Sequence, residues 1–214
     1  MMKKFIMMGV LMSLAVIATA CGNKTQTEDG GQITSISIEK NGSIENTIVE
    51  DFSQSYYELD SLSAMIEQDI EAYHNQNPDS KISLSKCELT DDNSTVRVVM
   101  KYGDSQTYTG FNGETLFSGT VQDAYSAGYN LDMTLDEVKK GEKTGNSISR
   151  DDILGMGESH ILIIEKPSDE EKAQEKIAVK CFGDIEFVGA GVEPTGKKSA
   201  NMSWTQDYCV VIFK

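Results

Sequence analysis

The 214-residue chain is short of positive charge: 19 Lys and Arg stand against 34 Asp and Glu, a formal net charge of −15. Lys3 and Lys4 lie at its start, and the remainder carries 17 basic and 34 acidic residues, a net of −17. Nucleic-acid binding and electrostatic adhesion to anionic lipid both need a basic face, so neither is expected. Histidine is scarcer, with His74 and His160 only. A Ser-His-Asp triad would have to use one of them. His74 ends a helical pattern among Asn and Gln, a solvated setting, and His160 opens an apolar strand pattern, a packed or edge setting. No G-x-S-x-G and no H-E-x-x-H occurs. The four cysteines have no paired spacing, which removes a zinc site. "TDDNS" (residues 90–94) lacks the Gly and distal Glu of a calcium loop. No cofactor or metal is expected. No repeat of fixed period is visible, and no apolar run reaches the roughly 20 residues that cross about 30 Å of hydrocarbon.

What is present begins with a leader. Lys3 and Lys4 form a positive n-region, Phe5 to Ala20 is an uncharged apolar run of 16 residues, and Ala18-Thr19-Ala20 precedes Cys21. "IATAC" resembles the lipobox of bacterial lipoproteins, in which small residues precede an invariant Cys. That family usually has Leu where this chain has Ala18, and Ala-x-Ala also fits ordinary signal peptidase. Both enzymes would cut after Ala20, and they differ in whether Cys21 is acylated. The apolar run continues almost to the Cys, and a polar stretch, "GNKTQTEDGGQ", follows at once. Both features favour lipid. The resemblance implies a diacylglyceryl thioether on Cys21 and an acylated amine (palmitate-type chains), which together hold firmly to a bilayer. The polar stretch is a flexible tether of 11 residues, with a reach of roughly 18 Å.

The rest reads as a globular α+β fold. With 39% hydrophobic and 25% charged residues it is too apolar for a disordered chain. Residues 33–52 predict a hairpin: Ile36 and Ile38 alternate with Ser35 and Ser37, Asn41-Gly42 suits a type I′ turn, and Ile44, Ile48 and Val49 return. Residues 59–78 predict an amphipathic helix capped by Asp60, with Leu62, Met65, Ile66, Ile70 and Tyr73 at helical spacing and Asn77-Pro78 ending it. Residues 81–103 predict a second hairpin, with Val96, Val98, Met100 and Tyr102 on one face and a turn at Asp91–Ser94. "TYTGFNGETLFSG" (107–119) suggests two short strands. Thr120 suits the cap of a short helix. Residues 130–152 are polar and Gly-punctuated and read as a connector. Beyond them "HILIIEK", "EKIAVKCFGDIEFVGAG" and "YCVVIFK" read as strands, with "PSDEEKAQEK" a charged link. The organisation expected is a signal peptide at 1–20, a tether at 21–32, an N-terminal α+β part at 33–129, the connector at 130–152 and a β-rich C-terminal part at 153–214. The two parts form one domain or two. The architecture is antiparallel hairpins packed with one main amphipathic helix, followed by the β-rich part. "NGSIENTIVEDFSQSYYELDSL", with the later "TGKK" and the terminal apolar strand, is similar to small uncharacterised lipoproteins of Gram-positive anaerobes, a resemblance that implies no chemistry.

Two catalytic patterns almost form. Ser83-Leu84-Ser85-Lys86, Lys143-Thr144-Gly145 and Ser199-Ala200-Asn201 match S-x-x-K, K-T-G and S-x-N of penicillin-binding enzymes and β-lactamases. There, however, S-x-N precedes K-T-G, and the nucleophile opens a helix. Here "KISLSKCEL" alternates like a strand, which predicts Ser83 and Lys86 on opposite faces. "GVEPTGKKS" (191–199) nears the P-loop, but Lys198 stands where a metal-binding hydroxyl is needed, and no helix follows. A surface turn is expected.

With Cys21 lipidated, Cys87, Cys181 and Cys209 remain. Cys181 and Cys209 sit on apolar strands that are candidate neighbours in one sheet. They form a disulfide, given export, or two buried thiols. The function expected is a non-enzymatic binding or structural module, lipid-anchored at the outer face of the cytoplasmic membrane. Its partner is an unknown protein, peptide or cell-wall component, with no nucleic acid. The alternatives are a small serine hydrolase-like enzyme using Ser83 and Lys86, or an accessory solute-binding lipoprotein. Tyr56, Tyr57, Tyr108, Phe111 and Trp204 are candidate contact aromatics, although aromatics are more often core.

Overall fold

The computed structural model describes residues 33–90, 94–170 and 172–214. Residues 1–32, with the leader, Cys21 and the tether, lie outside them, as does Asp91–Asn93 of the expected second turn.

In chain order the elements are β1 (Ser35–Ile38), β2 (Ile44–Asp51), α1 (Leu59–Gln76), β3 (Ile82–Leu89), β4 (Thr95–Tyr102), α2 (Ser105–Asn112), β5 (Leu116–Thr120) and α3 (Val121–Ser126). They continue with β6 (Leu135–Lys139), β7 (Glu142–Ile148), α4 (Arg150–Gly155), β8 (His160–Glu165), β9 (Ile177–Cys181), β10 (Ile185–Val188), β11 (Val192–Pro194), β12 (Ser199–Met202) and β13 (Tyr208–Phe213). A 3-10 turn, Lys172–Gln174, lies between β8 and β9. The fold is α+β with a β-rich C-terminal part. Seven strands form a first sheet, ordered β11-β12-β9-β1-β2-β4-β3, and six form a second, ordered β5-β8-β13-β10-β6-β7. Among the described strands only β1 and β9 pair in parallel, Ser35 opposite Ala178 and Ile38 opposite Cys181.

Period two explains the first sheet. Ile36, Ile38, Ile44, Val98, Met100, Tyr102 and Val179 are buried on one face, packed in one cluster with Leu162, Ile164, Val211 and Phe213 of the second sheet. The opposite face of the first sheet stays polar, with Ser37, Glu45 and Lys101 on it; Lys101 pairs with Glu45 at 3.5 Å. The central strands of the second sheet do not alternate. "HILIIE" and "YCVVIF" are apolar on both faces because Ile161, Ile163, Val210 and Ile212 are covered by α3, α4 and Leu131. Burying each such side chain contributes about 1.5–3 kcal/mol. α1 turns Leu59, Leu62, Ile66 and Ile70 toward the core. None of its residues is fully buried, since it covers the edge strand β3.

Several local readings change. The first hairpin forms, but of its turn only Gly42 has positive φ, at 83°. Glu39 and Ser43 close around Lys40-Asn41, a type I turn followed by a left-handed Gly. The turn with two positive φ values is Lys140 (58°) and Gly141 (85°), at the tip of β6–β7. Glu58, not Asp60, flanks the start of α1, with no side-chain cap, and Asp60 sits in the first turn, where an acid suits the helix dipole. The first half of 107–119 belongs to a helix, not a strand. Asp104 accepts from the Thr107 N–H at 2.7 Å, and Gly113 at φ 70° ends α2. Thr120 caps α3 in a reciprocal box with Asp123. Residues 130–152 do not form a connector: they hold β6 and β7, and both sheets draw strands from either side of them. Residues 191–199 are the β11–β12 hairpin, with the Thr195 N–H donating to the Ser199 carbonyl at 2.9 Å.

Candidate functional site

Strand direction gathers distant segments at one end of the sandwich. β1 and β9 both start there, and β12 finishes there with Met202 opposite Ile177. Residues 203–207 then carry the chain across to β13, and residues 189–191 carry it from β10 to β11. The Ser203 N–H donates to the Gly191 carbonyl at 2.8 Å. Gly191 has φ +77°, and a Cβ there would strike the Ser203 carbonyl, so the crossing needs glycine. β6 starts at the same end, Asp136 opposite Val188. Between these crossings lies an open groove of about 350 Å³ lined by Asn130, Asp132, Thr134, Gln206, Asp207 and Tyr208, with Gly189 and Ala190 against it. A neighbouring lobe of similar size, about 360 Å³, shares Asp132, Thr134 and Gln206 and reaches Asp136.

The groove is polar where small-molecule pockets are mostly apolar. Asp136 is 3.4 Å from Lys143, which also binds Glu193 at 2.8 Å. Burial pulls the Lys143 ammonium down, but its hydrogen bonds to Glu193 and Asp136 outweigh that and raise its pKa. Among the described residues no basic side chain pairs with Asp132 or Asp207. The Asp132 N–H donates to Asn130 Oδ1 at 2.9 Å, which shapes the rim. Beside the groove, Glu137 takes hydrogen bonds from Lys139, Asn146 and Thr144 at 2.7–2.9 Å, which hold its pKa down to about 2. Two carboxylates without cations, next to amide and hydroxyl groups, suit a cationic ligand that also donates hydrogen bonds.

A second polar seam runs between the sheets. Tyr102 donates to Asn112 Oδ1 at 3.3 Å, Tyr108 donates to Glu114 at 3.4 Å, and Lys172 pairs with Glu114 at 2.9 Å. Burial pushes Tyr102 up to about 12 and Tyr108 well above the usual phenol range. Burial also raises the pKa of Glu50, with Glu175 adding to it, and that of Glu175, with Asp169 and Glu114 adding to it. Asn46 is 5% exposed, and its Oδ1 has no hydrogen-bond partner among the described residues. The seam is closed on itself through the Glu114–Lys172 pair, whereas the groove is open.

The residues singled out from the sequence do not converge here. Cys21 lies outside the described residues. Cys181 and Cys209 are free buried thiols in opposite sheets, not neighbours in one. Cys209 Sγ meets the Ser203 carbonyl at 3.7 Å, near the Ile177 end of β9, and Cys181 is four residues further on. That is roughly 13 Å along a strand, beyond the Cα separation a disulfide tolerates. Ser83 and Lys86 are not on opposite faces. A bulge at Ser85 sets Ser83 opposite Lys101 and Lys86 opposite Val99, so both point to the outer polar face. They are exposed there, and Lys86 lies 3.9 Å from Glu88. His74 is exposed in the last turn of α1, and His160 stacks on Phe213 at 5.5 Å. Asp132, Asp136, Gln206 and Asp207 carry no sequence signal, because about 70 positions separate the two strips they come from. Among the described residues no group of three metal-ligating side chains forms, and no helix is long and apolar enough to cross a membrane. No family model matches the chain, and no curated protein or solved structure matches it.

Proposed function

We propose that the chain is an exported lipoprotein, held by acyl groups on Cys21 at the outer face of the cytoplasmic membrane. It acts there as a binding module, without catalysis, for a cation-bearing partner such as a peptide, a protein segment or an amine-bearing cell-wall component. The leader and its lipobox resemblance support the anchor. The observation that carries the binding reading is the open groove with Asp132 and Asp207, neither paired with a basic side chain among the described residues. The surface charge of −17 beyond the leader draws such a partner and repels nucleic acid.

Titration calorimetry of the full chain with a lysine-rich peptide tests it. The wild type binds with an affinity that falls as salt rises, and Asp132→Asn/Asp207→Asn weakens binding by tenfold or more. Equal binding by wild type and variant, or none by either, would refute the groove as the site.

A further inference from the structure

The same end of the sandwich carries an aromatic step beside the point where the tether meets the fold. Thr34 Oγ1 accepts from the Val49 N–H at 3.3 Å, three residues before Phe52. Phe52 stacks on Tyr57 with ring centroids 5.0 Å apart, and Tyr56 meets Tyr57 edge-on at 4.8 Å. Among the described residues Tyr56 is the most exposed large side chain of apolar character, at 66%, and Leu89, 36% exposed, ends β3 at the same end. The exposed Tyr56 ring thus rests edge-on against Tyr57, which is itself stacked on Phe52. Acids rim the step at Asp51, Glu58 and Asp60.

We infer that Tyr56, Tyr57 and Leu89 form a membrane-facing contact that seats the domain in the headgroup zone of the bilayer to which Cys21 is anchored. This rests on the lipoprotein reading above. The occupant follows from the short sequence distance between Cys21 and β1. Only the 11 residues 22–32 separate Cys21 from Ile33, where the fold begins, so the end bearing Tyr56 is the end the anchor holds nearest the lipid. Tyrosine suits the membrane interface because its ring is apolar and its hydroxyl stays wet. Acyl chains combined with a second contact bind more stably than acyl chains alone. The acidic rim sets the lipid chemistry: the contact favours uncharged or zwitterionic headgroups and weakens as anionic lipid is added. The groove opens at this same end, so its ligand is met close to the membrane.

Tyrosine nitration of the acylated full chain on phosphatidylcholine vesicles, read by peptide mass spectrometry, tests the contact without any substitution in the patch. The reference is Cys21→Ser free in solution. Nitration of Tyr56 falls at least threefold on vesicles, while Tyr125, 50% exposed on α3, is unchanged. Replacing half the lipid with phosphatidylglycerol restores part of the Tyr56 nitration. Equal nitration of Tyr56 on vesicles and in solution overturns the contact, as does protection that vesicles fail to give but a cell-envelope protein fraction supplies. A wild-type chain that does not float with vesicles overturns the anchor reading instead, so the two failures are separate.

Discussion

At the residue scale the decisive feature is where polar and ionisable groups meet the core. The thiols of Cys181 and Cys209 are pushed by burial from 9.0 to about 12, and the Tyr102 phenol from 10.0 to about 12. Each is a group whose neutral form the fold favours. Its stabilisation is complete below the unfolded pKa and is lost as pH rises toward the folded one. The melting temperature is therefore expected to hold up to about pH 9 and then fall steadily toward pH 12, with Cys181→Ala/Cys209→Ala falling less steeply over that window. A scanning-fluorimetry series across pH 8–12 checks this, and a wild type as stable at pH 11.5 as at pH 8 would contradict it. Cys21 and these thiols divide by environment. Cys21 follows an apolar run and precedes a polar stretch, whereas the other two are packed between the sheets, where burial disfavours the thiolate.

At the element scale the legibility of the chain depends on which residues surround each segment. β1, β2 and β4 alternate because one face is buried and the other wet, and α1 shows its stripe because it covers an edge, so both patterns are plain in the sequence. β6 and β7 were hidden. Their exposed positions are polar, and Leu135, Val138 and Ile148 are spaced by a register shift that breaks period two. The bulge at Ser85 hid the true faces of Ser83 and Lys86 in the same way. α2 was hidden because Thr107, Tyr108, Thr109 and Phe111 favour strands, and the Asp104 cap and Gly113 exit overrode that preference. The Lys140-Gly141 turn is the strongest lever on this region. A Cβ at Gly141 would lie 2.7 Å from the Gly196 carbonyl carbon, at the tip of β11–β12, in addition to the φ penalty; a Cβ at Gly145, also at positive φ, meets nothing. Gly141→Ala is expected to cost about 1–3 kcal/mol and Gly145→Ala less. Thermal melts should show drops of roughly 3–10 °C for the first and a smaller drop for the second. Equal drops would show that the two hairpin tips do not press on each other.

At the scale of the whole molecule, the chain crosses between sheets repeatedly at one end: at 166–176, at 189–191 and at 203–207. The site is a product of that topology. None of its members announces itself locally, since Asp132 and Asp207 are ordinary loop acids until β6 and β13 bring them together. The aromatic step and the acidic groove share this end with the start of β1, so in the proposed function attachment and binding are one arrangement, with the groove close to the membrane. Everything in that arrangement depends on Cys21. Intact-mass analysis of the full chain extracted from membranes, beside Cys21→Ser, tests it most directly. The account predicts that the wild type is cleaved after Ala20 and carries the added mass of a diacylglyceryl group and an N-linked acyl chain, and that the variant carries neither. A wild type with an unmodified Cys21 would contradict it.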